Sequence, residues 1–210
     1  MTETSGTIVH LGPDQHDVKG TPRMASCGRA VAGVELRIVD EAGQILPPGE
    51  IGEIVIRTPT IMLGYWRKDD ATQEVLRDGW YYSGDAGYLD EDGYLYICDR
   101  IKDMIVSGGE NVYPAEVEKA LQSHPAVREV AVIGVPDQKW GEAVKAVVAF
   151  KPGMTATADE LTAHARKLIA GYKLPKSYDF VESLPRNAAG KILRRELRKP
   201  YWEGRERQVS

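Results

Sequence analysis

The hydrophobic pattern of this chain changes near Asp99, and that change constrains the fold more than any other feature of the sequence. Before it, residues 34–40 and 53–57 alternate apolar with polar side chains, which is typical of half-buried strands. Residues 88–90 and 94–97 form a similar pair around an Asp-Gly turn, which predicts a hairpin. The first part of the chain therefore predicts a small antiparallel β subdomain.

After Asp99, predicted strands alternate with predicted helices. Pro114 stands at a favoured first helical position, and Val117, Ala120 and Leu121 share one face of the helix that follows. The pattern predicts helices over residues 114–121, 159–170 and 191–199, and strands over residues 128–135, 143–150 and 178–181. This alternation predicts a compact α+β domain.

The chain of 210 residues, 42% of them hydrophobic, is large enough to bury a core. The fold class expected is α+β, with a small antiparallel β subdomain followed by a compact α+β domain. The boundaries expected are a β-rich part over residues 1–99, a boundary segment over 100–103, an α+β domain over 104–200 and a tail over 201–210.

Charge and cysteine content exclude several classes of function. The net charge of −4 gives no reason to expect a nucleic-acid partner. Cys27 and Cys98 lie far apart and outside any metal-binding spacing. We find no signal sequence and no apolar run of about 20 residues, so a cytoplasmic protein is expected. The basic stretch at residues 191–199 favours a solvated helix, while contact with phosphate groups of a ligand, the acidic face of a partner protein or an anionic membrane surface stays open.

Two segments of the first part carry candidate binding residues. Residues 2–6 place Glu3 among hydroxyls before a glycine, a composition that suits Mg²⁺ but is also common in solvated loops. Residues 80–85 lead through aromatic side chains into a Ser-Gly turn that presents Asp85. An ionised carboxylate there can accept hydrogen bonds from two ribose hydroxyls, or it can simply stabilise the turn.

Two segments of the second part stand out in the same way. Residues 99–114 join charged residues at the boundary to an apolar strand and a Gly-Gly turn, where backbone can approach a thin substrate closely. Residues 185–192 form a loop of small residues that projects Lys191, whose ammonium group can stabilise negative charge on a phosphate or carboxylate. Each segment alone also has an ordinary structural explanation.

Together and in this order, the four segments resemble the superfamily of adenylate-forming enzymes, which includes acyl-CoA synthetases, peptide-synthetase adenylation domains and firefly luciferase. The resemblance extends from Met1 to about Arg198. It implies ATP, a carboxylic acid and coenzyme A as substrates, AMP as a product and Mg²⁺ as cofactor.

The resemblance also implies a role for individual residues. Glu3 matches the acid associated with magnesium-ATP, and Asp85 and Arg100 match the pair that binds the ribose of the adenylate. Lys102 falls at the hinge, Gly109 at the turn that lines the tunnel for coenzyme A, and Lys191 at the catalytic lysine of adenylation. The resemblance thus implies that residues 1–99 end a larger N-terminal adenylation domain, that residues 100–103 are a hinge, and that residues 104–200 are a mobile α+β lid domain.

The phosphate-binding loop of this superfamily, of the type T-S-G-T-T-G-x-P-K, is not found in the sequence. We therefore expect the chain to be part of a longer protein and to be inactive without the missing N-terminal core. As an isolated chain it would be a non-catalytic module that contacts nucleotide or coenzyme A.

The substrate expected for the complete enzyme is a fatty acid. Gly64-Tyr65-Trp66, a link at residues 69–72 and the Gly-Gly-Glu-Asn turn most resemble fatty-acyl-CoA ligases. Aryl-CoA ligases of the coumarate type share nearly all of these features, and loading of a carrier protein in place of coenzyme A also remains open.

Overall fold

The computed structural model describes residues 1–204 and divides into two compact units, Met1–Ile101 and a second unit that begins at Lys102. The first unit is built on an antiparallel sheet and the second combines a sheet with helices, which confirms the α+β class. Within residues 1–204, no helix has both the length and the apolar character that crossing a membrane requires.

The first unit contains one seven-stranded sheet. Its strands are β1 (Val9–His10), β2 (Gly28–Ala30), β3 (Glu35–Val39), β4 (Gly52–Arg57), β5 (Leu76–Arg77), β6 (Trp80–Leu89) and β7 (Tyr94–Arg100). They lie in the order β1-β2-β7-β6-β4-β3, and β5 pairs with β6. The link expected at residues 69–72 is instead part of a short helix, α1 (Asp69–Val75).

The predicted strands over residues 34–40 and 53–57 are confirmed as β3 and β4, which pair antiparallel with each other. Because successive side chains of a strand point to opposite faces, Ile54 and Ile56 enter the same core. That core also contains Ile38, Tyr81 and Leu95, all at most 4% exposed. Alternation in the sequence thus located the sheet of the first unit correctly.

The predicted hairpin is confirmed, but its strands are longer than the sequence indicated. Strand β6 begins at Trp80 and β7 continues to Arg100. The pairing shifts register opposite residues 53–55 and again between Ala86 and Gly87. Such bulges insert extra residues and interrupt the period of two, so the alternation was not visible along the whole strand.

The second unit combines five strands with three helices over its described residues. The strands are β8 (Ile105–Ser107), β9 (Glu110–Val112), β10 (Val127–Asp137), β11 (Gly141–Phe150) and β12 (Ser177–Phe180); the helices are α2 (Pro114–Gln122), α3 (Ala158–Ala165) and α4 (Arg194–Trp202). The sheet order is β10-β11-β8-β9, and β12 lies parallel beside β11.

The long β10–β11 pair is covered on both faces. Val130 and Val132 join one core cluster, which includes side chains of α2 and α3. Ala131 and Ile133 join the cluster on the other face, against which Leu197 of α4 packs. Both faces are therefore apolar, which explains the nearly continuous hydrophobic run in this strand.

Helix α3 is shorter than the predicted helix over residues 159–170. It begins after Thr157, whose hydroxyl accepts the N–H of Glu160 in a capping box. It ends at Ala165, whose carbonyl oxygen accepts the N–H groups of both Leu168 and Ile169 in the turn that follows. Ile169 packs against the core from this turn, so the apolar residue whose spacing predicted a longer helix reaches the core without one.

The terminal helix begins at Arg194 rather than at residue 191 and continues to Trp202, into the stretch assigned to a tail over 201–210. The hydroxyl of Tyr201 donates to the carboxylate of Asp179, and the indole N–H of Trp202 donates to the carbonyl of Gly134 at 3.0 Å. This helix is thus docked on the unit and is not a freely solvated one. Residues 205–210 of the predicted tail lie outside the described residues.

The contact between Tyr201 and Asp179 includes a third side chain, that of Lys145. Lys145, whose side chain is only 9% exposed, places Nζ 2.5 Å from Asp179 Oδ1. Burial alone would raise the pKa of Asp179, but hydrogen bonds from Lys145 and Tyr201 lower it overall. Burial and the bond to Asp179 raise the pKa of Tyr201 to about 12, so this phenol stays a donor at neutral pH.

Candidate functional site

A cavity of about 280 Å³ opens in the first unit. Its wall includes Glu3, Tyr65, Ser83, Gly84 and Arg100. Two of these, Glu3 and Arg100, are site residues predicted from the sequence. The cavity therefore brings the start of the chain close to the end of β7.

The segment that carries Glu3 is an ordered turn. Residues Thr2–Thr4 form a 3₁₀ turn, and Thr4 is fully buried with its hydroxyl within 3.3 Å of the carbonyl oxygens of Met1 and Gly6. The N–H of Met62 donates to the carbonyl of Glu3 at 2.7 Å. These contacts hold the Glu3 carboxylate at the cavity wall and argue against a loose solvated loop.

The Ser-Gly-Asp turn is a bulge in β6. Gly84 has φ of 67°, a left-handed conformation that glycine adopts without strain. Its N–H donates to Glu53 Oε1 at 2.9 Å, and the Ser83 hydroxyl donates to the Ile54 carbonyl at 2.7 Å. The bulge, held from β4, sets the direction of Asp85.

Asp85 and Arg100 lie directly opposite each other on β6 and β7. Arg100 Nε is 2.7 Å from Asp85 Oδ1, and the arginine side chain is half exposed whereas the aspartate is 16% exposed. The structure therefore brings together the two residues that the resemblance assigned to the ribose. A charge-assisted pair of this kind is a well-defined site for polar ligand groups.

Sequence reasoning missed two groups at this cavity, Glu53 and Tyr81. Glu53 accepts the N–H of Gly84, which lies 31 positions further along the chain, so no local pattern could have revealed this contact. Burial raises the pKa of Tyr81, and a hydrogen bond with Tyr65 and the negative charge of Glu3 raise it further. Tyr81 stays protonated at neutral pH, and the aromatic run at residues 80–82 was the signal that could have identified it.

The Gly-Gly turn lies in the second unit. Ser107 pairs with Glu110, so Gly108 and Gly109 form a two-residue hairpin loop with φ of 64° and 86°. A Cβ atom added to Gly108 would lie 2.5 Å from Cε3 of Trp140, whereas one added to Gly109 would meet no atom of residues 1–204 within 4 Å. Gly109 therefore has free space beside it, and its place in a tunnel for coenzyme A stays a prediction.

This difference between the two glycines gives a stability prediction. Gly109→Ala is expected to lower the free energy of unfolding by about 1 kcal/mol through its left-handed φ alone. Gly108→Ala adds the overlap with Trp140 and is expected to cost about 3 kcal/mol. Urea unfolding of the chain, followed by tryptophan fluorescence, measures both. Equal losses for the two variants would contradict the packing of Trp140 against Gly108.

The loop that carries Lys191 also lies in the second unit, on the surface. The N–H of Asn187 donates to the carbonyl oxygen of Lys191 at 2.9 Å and closes this loop. Glu3, Asp85 and Arg100 belong to the first unit. The predicted site residues are therefore divided between two separate bodies.

Lys102 is the first residue of the second unit and lies in a 3₁₀ turn over Ile101–Asp103. The next residue, Asp103, is buried, with Oδ1 2.6 Å from Arg198 and Oδ2 3.8 Å from Arg194. The turn is thus tied to the terminal helix. Rotation about Lys102 stays a prediction.

Comparison with known proteins identifies the class to which this fold belongs. Residues 1–66 match the AMP-binding enzyme family, and residues 116–191 match the AMP-binding enzyme C-terminal domain. The chain belongs to the adenylate-forming, AMP-binding enzymes, which confirms the resemblance drawn from its four segments.

Individual relatives cover nearly all of the chain. A fatty acid–[acyl-carrier-protein] ligase of Streptomyces coeruleorubidus is 48% identical over 100% of this chain and 40% of its own length. A feruloyl-CoA synthase of an Amycolatopsis species is 50% identical over 96% of this chain and 40% of its own. The chain thus spans about 40% of the length of these curated relatives.

A solved structure has a similar fold. The o-succinylbenzoate CoA synthetase of Bacillus subtilis, in complex with its acyl-adenylate intermediate, superposes with a TM-score of 0.86 at 41% identity. The match covers 94% of this chain and 39% of that enzyme.

Proposed function

We propose that this chain forms the C-terminal part of an ATP-dependent acid–thiol ligase, which converts a carboxylic acid, ATP and coenzyme A into acyl-CoA, AMP and pyrophosphate. The observation that carries the proposal is the Asp85–Arg100 pair beside the cavity whose wall includes Glu3. It supplies an acceptor for ribose hydroxyls, a cation and a carboxylate within one compact unit.

In this proposal the first unit holds the nucleotide. The Asp85 carboxylate accepts hydrogen bonds from the two ribose hydroxyls, and Arg100 orients that carboxylate from the opposite strand. Glu53 fixes the bulge that presents Asp85. Tyr81, kept protonated, contributes to the polar wall near Tyr65.

The donor set at Glu3 fits magnesium in this setting. Mg²⁺ bound with ATP takes most of its oxygen ligands from phosphates and water and needs only one or two carboxylates. Glu3 provides one, oriented by the hydroxyl of Tyr65 at 3.2 Å from Oε1. The ion, when bound, would neutralise phosphate charge on the nucleotide.

The reaction has two steps with different requirements. A carboxylate oxygen attacks the α-phosphorus of ATP, and the bond from that phosphorus to the bridging oxygen breaks to release pyrophosphate. The thiol sulfur then attacks the acyl carbonyl carbon and gives up its proton to solvent, while the bond from that carbon to the phosphate oxygen breaks and AMP leaves. The first step brings two anions together, so we assign Lys191 to stabilise them, whereas the second needs a thiol channel, which we assign to the turn at Gly109.

One site can receive Lys191 and Gly109 in turn only if the second unit moves. The division of the chain at Lys102 supports a hinge there. We propose that rotation about Lys102 exchanges the adenylating arrangement for the thioester-forming one.

The proposed acid is a fatty acid, with an aromatic acid as the alternative. The relatives support an activated carboxylic acid in general, since their names include a fatty acid ligase and a feruloyl-CoA synthase at nearly equal identity. A second acceptor also has specific support, because the Streptomyces relative is named as a ligase of acyl carrier protein. Loading of a carrier protein is therefore the second candidate function.

Acid-dependent pyrophosphate–ATP exchange tests the proposal. Octanoate, palmitate, coumarate and ferulate would be supplied to this chain and to the full-length enzyme, meaning the chain joined to the preceding part that its relatives possess. Exchange with fatty acids by the full-length enzyme and none by the chain is the expected result. Exchange by the chain itself would contradict its role as the C-terminal part, and preference for ferulate would overturn the fatty-acid assignment.

A further inference from the structure

The loop around Lys191 has a defined internal shape. Oδ1 of Asn187 accepts the N–H groups of Ala189 and Lys191 at 3.0 and 2.9 Å, and the N–H of Gly190 donates to the Asn187 carbonyl at 2.9 Å. These bonds fix the turn but do not fix where it lies on the unit. Other contacts must set the position of Lys191.

Arg186 provides such a contact before Lys191. One guanidinium nitrogen donates to the carbonyl of Gly190 at 2.6 Å, and another donates to Glu129 Oε2 at 2.6 Å. Glu129 belongs to β10, the long strand at the centre of the second unit. The hydrogen bond from Arg186 lowers the pKa of Glu129, so this acceptor stays ionised at neutral pH.

Arg194 provides a second contact, just after Lys191. It binds both carboxylate oxygens of Glu118 at 2.8 and 2.9 Å in a bidentate arrangement. Glu118 Oε1 also accepts the N–H of Val132, again on β10, at 2.8 Å. Both side chains are at most 24% exposed, so solvent screens this pair less than a surface pair.

The two arginines therefore attach both ends of the Lys191 loop to the body of the second unit. Arg186 binds β10 directly, and Arg194 binds Glu118 of α2, which in turn accepts the N–H of Val132 on β10. Arg195, the next residue of α4, makes a useful comparison. Its side chain is 86% exposed, and its Nη2 lies 3.3 Å from Oε1 of the neighbouring residue Glu196. Arg195 has the same charge as Arg194 and lies in the same turn of the helix. The Arg195–Glu196 pair, however, joins two residues of α4 and does not attach the loop to β10 or α2.

We propose that the Arg186–Glu129 and Arg194–Glu118 pairs are positioning residues, which hold the ammonium group of Lys191 where the adenylation step requires it. This inference rests on the proposed function, in which Lys191 acts only in that step. A partly exposed ion pair such as Arg186–Glu129 contributes little to the stability of the fold. A displacement of about 1 Å at a reacting group, by contrast, can cost about 10²-fold in rate.

The test compares three alanine variants of the full-length enzyme. Arg186→Ala and Arg194→Ala are expected to slow pyrophosphate–ATP exchange by about 10- to 100-fold. Arg195→Ala, the matched control, is expected to change it by less than about twofold. Conversion of supplied acyl-adenylate to thioester should stay within about twofold for Arg186→Ala and Arg195→Ala, since Lys191 plays no part in it. Arg194 also lies 3.8 Å from Asp103 in the proposed hinge turn, so the comparison of the two half-reactions rests on Arg186→Ala.

Conservative replacement gives a further check. Lysine at position 186 retains the charge and can reach one of the two acceptors, so Arg186→Lys should recover part of the exchange rate lost in Arg186→Ala. The amide of Lys191 should exchange hydrogen faster in Arg186→Ala than in the parent chain, because the loop is no longer attached to β10. If Arg194→Ala fails to fold, Arg186→Ala still decides, since its ion pair is largely at the surface.

Two outcomes would overturn the inference. Equal slowing of both half-reactions by Arg186→Ala would show a merely structural role. If Arg186→Ala and Arg194→Ala catalyse pyrophosphate–ATP exchange as fast as Arg195→Ala, the two ion pairs do not position Lys191. Lys191→Ala distinguishes a failure of this inference from a failure of the proposed function. If Lys191→Ala loses pyrophosphate–ATP exchange while the arginine variants keep it, the proposed function stands and only the positioning role is rejected.

Discussion

Lys191→Ala is expected to lower acid-dependent pyrophosphate–ATP exchange by the full-length enzyme by at least about 10²- to 10³-fold. The adenylation step joins a carboxylate to a phosphate, and an ammonium group beside both anions stabilises mainly the transition state. Conversion of supplied acyl-adenylate to thioester is expected to stay within about twofold, because no new contact between anions forms in that step. Exchange of labelled pyrophosphate and a thioester assay measure the two half-reactions separately.

Lys199→Ala is the control for this experiment. Lys199 lies on α4, is exposed and carries the same charge as Lys191, so its loss tests for a general effect of charge. It should leave both half-reactions unchanged. Equal loss of both half-reactions in Lys191→Ala would remove the assignment of this lysine to adenylation.

Lys102→Pro is expected to slow one half-reaction at least about tenfold more than the other. Proline fixes φ near −65° and disfavours the helical region for the residue before it. In the structure that residue, Ile101, begins the 3₁₀ turn at the division between the units. The substitution should therefore favour one orientation of the second unit and impair the step that needs the other.

Lys102→Ala distinguishes the backbone effect from the effect of charge. Alanine removes the ammonium group but keeps the N–H and the freedom of φ, so it should leave the ratio of the two rates close to that of the unmodified enzyme. The same assays apply. Unchanged rates in Lys102→Pro would show that Lys102 is not the hinge, and equal changes in both variants would assign the effect to charge.

Much of the fold followed from local pattern. Strands β3 and β4, the β6–β7 hairpin and helix α2 all appear where alternation, an Asp-Gly turn and a proline at the first helical position predict them. The errors have physical causes. Bulges hid the length of β6, and the apolar spacing after Ala165 is met by a turn that delivers Ile169 to the core.

The candidate site was predictable to the extent that it depends on residue type in a local motif. Glu3, Asp85, Arg100 and Lys191 were all identified from short segments and their order along the chain. These residues are divided between two units, with Glu3, Asp85 and Arg100 in the first and Lys191 in the second. Their roles in catalysis remain predictions that the half-reaction assays decide.

The sequence by itself determined the α+β class, the family and the candidate residues, because these depend on periodicity and on motifs that span a few neighbouring positions. Only the tertiary structure revealed that Glu53 holds the Asp85 bulge and that Arg186 and Arg194 attach the Lys191 loop to the strand β10 and the helix α2. Those contacts join residues 31, 57 and 76 positions apart. Which donor meets which carboxylate at such separations is decided by how strands and helices pack, and no local pattern in the sequence records it.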